Sequence, residues 1–176
     1  MANAEQGLGG CFLDQNFRKI QNVINTYVTG TIYLVQKITQ SMVRNGEGRI
    51  LVTGSIVGFL PGPFHAAYNA SKAFIHSFTA ALRNELKGTF VTVTCFMPGP
   101  TRTNAFARAG MLNTFIGSNK KLQMDPAEVA AVGFRAMQNG QAYVVAGWLN
   151  KIIVLVSKIL PAQAVAEIHR QTALPD

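Results

Sequence analysis

Ser55, Tyr68 and Lys72 are the residues of this chain whose types and spacing could do chemistry, and the last two stand four positions apart in the stretch YNASK. On a helix, residues four apart share a face about 6 Å from one another, so the ammonium of Lys72 can come near the phenol of Tyr68. A nearby cation favours the phenolate and lowers a pKa that is ordinarily about 10. A phenol tuned in this way can give a proton to a carbonyl oxygen or take one from an alcohol. Ser55, thirteen positions before Tyr68, could hold that oxygen in place. Spacing alone also allows a blander reading, in which the pair merely lines one side of a surface helix.

Strands and helices must position these residues. RILVTGS (49–55) is short and rich in residues that favour extended backbone, so it reads as a buried strand ending at Ser55. IVGFLPGPFH comes next as a loop with two glycines and two prolines. The segment 67–86 returns to helix, with Ala70, Ala73, Phe74, Ser77, Phe78, Ala81 and Leu82 on one broad face suited to a partner helix. Before the strand, apolar residues from Phe17 to Met42 recur at helical intervals, predicting one long helix bent near Gly30 and broken by NGEG at 45–48.

TFVTVTCFMPGP (89–100) reads as a second strand with a proline turn, and the region 101–124 as an irregular or short-helical lid. DPAE (125–128) is a helix start: Asp125 caps, Pro126 occupies the first turn, and Glu128 reaches back. GQAYVVAGW supplies a third strand. The alternation predicts an α/β fold, part of a doubly wound parallel sheet in three layers, α/β/α. A domain over 1–148 would be followed by an amphipathic helical extension over 149–176. Its apolar stripe either packs on the domain or makes peripheral contact with a membrane surface.

Composition bounds the rest. With 176 residues and 48% hydrophobic content the chain can bury a core, and charged residues at 14% leave much neutral surface, which an oligomer would explain. The net charge of +8 comes from basic residues scattered singly, except for Arg18-Lys19 and Lys120-Lys121, and forms no basic stripe, so nucleic-acid binding is not expected. Cys11 and Cys95 make no disulfide scaffold, and the first residues have neither the basic start nor the apolar core of a signal peptide, so the chain reads as cytoplasmic. The histidines His65, His76 and His169 are too dispersed to suggest a metal site.

The set Ser55, Tyr68 and Lys72, in strand-then-helix context and trailed by PGPTRT at 98–103, resembles the catalytic pattern of the short-chain dehydrogenase/reductase family. The similarity extends from Asn3 to about Gly147 and implies a Rossmann-like fold and an NAD- or NADP-dependent oxidoreductase that interconverts an alcohol and a ketone or aldehyde. It implies Tyr68 as general acid/base, Lys72 lowering its pKa and bonding the nicotinamide ribose, and Ser55 holding the substrate oxygen. The backbone at Pro98 and Gly99 and the hydroxyls of Thr101 and Thr103 would touch the nicotinamide carboxamide or a phosphate, with Thr103 the better placed. The resemblance also implies a homodimer or homo-oligomer through the helices 17–44 and 67–86.

Two departures qualify it. Tyr27, in NTYVTG, stands where the family commonly has an asparagine that supports a proton-relay water. NAEQGLGG (3–10) looks like an altered NNAG strand end, and the family's glycine-rich TGxxxGxG turn, which cradles the pyrophosphate, has no counterpart in the chain. TGSIVGFL (53–60) is a decoy that lacks the last glycine. The expectation is therefore the carboxyl-side part of the family domain, with cofactor binding by this chain alone in question. The alternative is a non-catalytic dimerisation or partner-binding module. FLPGPFHAAY together with Phe106, Met111, Leu112, Phe115 and Ile116 predicts an apolar pocket for a small hydrophobic alcohol or carbonyl compound.

Overall fold

The structure is a computed structural model that describes residues 1–174, so positions 175 and 176 of the expected extension lie outside the described residues. Three parallel strands, β1 (Gly48–Thr53), β2 (Val91–Met97) and β3 (Tyr143–Val145), lie side by side in that order. Gly48 pairs with Val91 and Thr53 with Phe96, while Cys95 pairs with Tyr143 and Met97 with Val145. Ala2 runs along the other side of β1, with its N–H on Leu51 O at 2.9 Å and its carbonyl accepting Thr53 N–H at 3.0 Å.

Strand side chains alternate between faces, and both faces are covered. Ile50, Val52, Val93 and Cys95 pack with Val35 of α2 (Gly30–Asn45) and Ile75 of α3 (Ala66–Glu85). Leu51 and Phe96 point the other way and meet Val129 of α6 (Pro126–Gln138). The chain is α/β with a parallel sheet between helical layers, as its alternating pattern requires.

Several local expectations change. The helix begun as α1 (Phe17–Ile24) continues into α2 through a π turn at Asn25–Thr29, next to Gly30, whose N–H bonds Asn25 O. Such a wide turn shifts the helical phase of α2, so Ile20, Val23 and Tyr27 share the buried side with Val35 and Thr39. α2 ends at Gly46, whose φ of 80° suits glycine. In α3 the buried residues are Asn69, Ser71, Lys72, Ile75 and Thr79; of the expected face, Ala70, Ala73, Ser77 and Ala81 are exposed, while Phe74, Phe78 and Leu82 are half-buried against the core.

Asp125 Oδ1 accepts the N–H groups of Ala127 (2.9 Å) and Glu128 (3.3 Å), but Glu128 does not complete a capping box; Arg102 pairs with Asp125 instead, at 3.3 Å. The region 101–124 contains α4 (Ala105–Arg108) and α5 (Phe115–Ser118). The tail is two helices rather than one, α7 (Trp148–Ile159) and α8 (Ala162–Ala173), because Pro161 has no N–H to continue the first. No helix among the described residues is long and apolar enough to cross a membrane.

Candidate active site

The carboxyl end of β1 sets the first side chain. Gly54 N–H bonds Phe96 O at 2.7 Å and Ile56 N–H bonds Pro98 O at 3.0 Å, which pins the turn between them. Ser55 sits in this turn, 8% exposed, its hydroxyl donating to Pro98 O at 3.3 Å and accepting Val57 N–H at 3.4 Å. The stretch that looked like a glycine-rich loop is thereby excluded as a phosphate cradle. A Cβ on Gly54 or Gly58 would press on the His76 ring, so these glycines serve packing inside the domain.

The loop then returns to start α3. His65 N–H bonds Gly62 O and Asn69 N–H bonds His65 O, both at 2.9 Å, and a Cβ on Gly62 would collide with the Asn69 side chain. Phe64, immediately before the helix, has φ of 63°, a conformation that L side chains adopt at a cost and that recurs near functional sites. Asn69 Nδ2 donates to Leu60 O at 3.0 Å and ties the loop to the helix. These contacts bring Tyr68 and Lys72 onto the inner side, one turn apart.

Lys72 is 3% exposed, and its ammonium donates to Thr53 O at 3.0 Å. It lies 4.0 Å from the Tyr27 ring centre but 5.7 Å from that of Tyr68. Burial pulls the Lys72 pKa down to about 8, against the charge of Glu5 and a smaller effect of Cys95. Burial pushes the Tyr68 phenol well above its ordinary range, Tyr27 and Glu5 act in the same direction, and a hydrogen bond with Ser55 opposes them. The expected lowering of the Tyr68 pKa by Lys72 is therefore not found. The ammonium is turned toward Thr53 and Tyr27, and desolvation outweighs any assistance.

Ser55, Tyr68 and Lys72 open on one cleft of about 610 Å³, which Pro98, Gly99, Thr101 and Thr103 also line. Pro98 O is already engaged by Ser55 and Ile56, and the Thr101 hydroxyl donates to Gly99 O at 2.9 Å. The Thr103 oxygen accepts Ala105 N–H at 3.2 Å, which leaves its proton for a ligand. Of the expected lid residues, Phe106, Met111 and Ile116 reach the cleft, whereas Leu112 and Phe115 are 60% and 52% exposed and do not line it. The opposite wall was not foreseen: Ile152, Ile153, Val156 and Leu160 of the α7 segment, and Val165 and Ile168 of α8. Their signal was the amphipathic tail, whose period says that one side is covered but not by what. His65 and His169 also meet there, ring centres 5.8 Å apart, and burial together with its neighbour brings the His65 pKa down to about 4.

The profile of the family described as short chain dehydrogenase matches residues 1–111. The chain belongs to the short-chain dehydrogenase family. Among its relatives is the ketoacyl reductase HetN of Nostoc, 29% identical over 182 residues that cover 99% of this chain and 61% of the relative. Among solved structures, a short-chain dehydrogenase from Sphingobium yanoikuyae in complex with NADPH has a TM-score of 0.77 at 24% identity, covering 90% of this chain and 61% of that one. A family member from Burkholderia phymatum in complex with NAD has a TM-score of 0.74 at 22% identity, covering 99% and 68%. These two likenesses establish the fold. The chain spans about half to three-fifths of the length of the curated relatives it matches.

The donor set suits the nicotinamide end of such a dinucleotide. Lys72 has two donors beyond the one on Thr53, the Tyr68 hydroxyl is at hand, and the buried Thr53 hydroxyl beside them has no partner. At the pyrophosphate end, no glycine-rich turn among the described residues joins a strand to a helix N-terminus in short-chain dehydrogenase fashion.

Proposed function

We propose that this chain carries the proton-transfer half of an NAD- or NADP-dependent oxidoreductase acting on a hydrophobic alcohol or carbonyl compound. The convergence of Ser55, Tyr68 and Lys72 on the floor of one largely apolar cleft carries this reading. A bound nicotinamide would supply or accept the hydride. Lys72, Tyr68 and Thr103 would hold it, and the backbone at Pro98 and Gly99 and Thr101 would line its place.

The Ser55 hydroxyl, whose one proton now rests on Pro98 O at 3.3 Å, would turn it to the substrate oxygen, and Tyr68 would complete the proton transfer at that same oxygen. Because the phenol pKa lies above its ordinary range, Tyr68 holds its proton at neutral pH. At neutral pH Tyr68 is thus a phenol with a proton to give to a carbonyl oxygen, and burial makes it a weaker acid than a phenol tuned by a close cation. The apolar wall of Ile152, Ile153 and Val156 favours substrates with a bulky apolar body, which would displace water from it on binding.

A second reading, a non-catalytic partner-binding module, draws on the raised phenol and on a Lys72 ammonium directed at Thr53 and Tyr27, which leave the protein by itself short of the charge arrangement such catalysis uses. The outward faces of α2 and α3 support self-association. They form a groove of about 470 Å³ lined by Ile32, Val43, Phe78 and Leu82, among others. The row Trp148, Leu155 and Ile159 on α7, beside Lys151 and Lys158, is the part of the tail open to peripheral membrane contact. The proposed domain over 1–148 and extension over 149–176 share the cleft between them.

Titration of the purified, monodisperse protein with NADH and NADPH, read by nucleotide fluorescence and binding heat and followed by turnover of apolar ketones, tests the proposal. Saturable binding with turnover is the expected result. Well-folded protein that binds neither nucleotide would overturn it in favour of the partner-binding module.

A further inference from the structure

Lys72 sits where burial strips water from its charge, and among the described residues it makes one hydrogen bond, to Thr53 O. An ammonium has three donors, so a carbonyl on one side leaves most of its charge unanswered. The face of Tyr27 fills the opening. The Lys72 nitrogen lies 4.0 Å from the Tyr27 ring centre, well inside the cation–π range of about 6 Å.

Tyr27 is itself held on several sides. It is 2% exposed, its hydroxyl oxygen accepts Gln6 N–H at 2.9 Å, and its ring meets that of Tyr68 edge-on with centres 5.5 Å apart. The π turn at Asn25–Thr29 carries it inward. Packing would account for a buried aromatic here. It would not account for the ring centre lying closer to the ammonium than the ring of Tyr68 does.

We propose that Tyr27 is a positioning residue for Lys72, its ring face keeping the ammonium charged and in place beneath the cleft. It stands where the family commonly has an asparagine, and it answers the lysine charge with a ring quadrupole instead of a relayed water. The Tyr27 hydroxyl has a separate task, tying the N-terminal loop at Gln6. The inference rests on the proposed role of Lys72 in serving Tyr68, but it makes a claim about Lys72 that can be read without turnover.

The titratable groups that act on Lys72 or respond to it are Glu5 from the N-terminal loop, Cys95 from β2, and His76 one turn along α3. All three are retained in the Tyr27 variants. Since a cation–π contact favours the charged form, its loss lowers the Lys72 pKa.

The test is a pH titration of carbon-13-labelled lysine followed by NMR, with the Lys72 signal assigned by its absence in Lys72→Met. Tyr27→Phe should titrate close to the original protein, whereas Tyr27→Leu should titrate about one pH unit lower, a tenfold loss of proton affinity. Should Tyr27→Leu fail to fold, phenylalanines of increasing fluorination at position 27 keep the ring's shape while draining its face of negative charge. The Lys72 pKa should fall step by step along that series. A flat series, or a Tyr27→Leu titration that matches the original, overturns the proposal. Nucleotide titration and ketone turnover on the same proteins separate the two claims: absent turnover with a graded lysine titration would sink the enzymatic reading and leave the clamp standing.

Discussion

At the floor of the cleft, Ser55 and Lys72 are 8% and 3% exposed and each donates to a backbone carbonyl at the end of a strand. The wall facing them, Ile152, Ile153, Val156 and Leu160, keeps between 37% and 49% exposure and belongs to the helical tail. The floor is built from groups whose positions are set by sheet register, and a displaced side chain there would leave a polar atom unpaired. The wall is built from apolar surface, which has no direction and tolerates exchange. In such an arrangement reaction type and substrate range can vary independently.

The sharpest way to break this contrast is at the floor. Tyr68→Phe removes the proposed proton donor and retains the ring, so nucleotide-dependent ketone reduction should fall about 10²–10⁴-fold, far more than nucleotide affinity, which loses one of its proposed contacts. Equal turnover in both proteins would show that the floor does not carry the chemistry.

Acid should loosen the junction between floor and wall. The folded protein holds His65 at a pKa of about 4, below the value of 6.5 expected when unfolded. Between those values the unfolded chain binds more protons, so stability falls as pH drops through 6.5 and the loss is complete below about 4. The His65 share is at most about 3 kcal/mol, read as a lower urea midpoint; His65→Gln should remove that share and leave the like contribution of His76, whose pKa burial also brings down to about 4.

Gly117 tests the lid next to the wall. A Cβ there would run into the Met111 carbonyl, so Gly117→Ala should destabilise the protein by about 1–3 kcal/mol, measured by denaturant unfolding. A smaller and purely selective change is expected for Val156→Ala. KM for bulky ketones should rise about tenfold with kcat nearly unchanged, because only apolar contact is lost. A fall in kcat instead would mean that the wall also orients the reacting group.

Much of the floor was legible in the chain. β1 and α3 could be placed because the apolar run and the helical period are local signals, and spacing along them put Tyr68 and Lys72 on one side of a helix. The direction of the lysine was not legible: spacing brought it near Tyr68, while Thr53 O and the Tyr27 ring, remote in sequence, drew its charge elsewhere. The π turn at Asn25–Thr29 was invisible because one widened turn leaves an apolar pattern that also fits a bent helix. The outward face of α3 was read as apolar and suited to a partner, but that residues Asn69, Lys72 and Thr79 would fill the inward side depended on what the sheet offered them.

By itself the amino-acid order determined the sequence of strands and helices, the strand-end serine, and the tyrosine and lysine one turn apart, since each of these depends on backbone preference and periodicity within a short segment. Tertiary structure alone decided the protonation of the site, the partner of Lys72 and the wall of the cleft. Those depend on how much water is removed and on which distant side chains replace it, quantities that exist only once α7, α8 and the N-terminal loop have packed around the sheet.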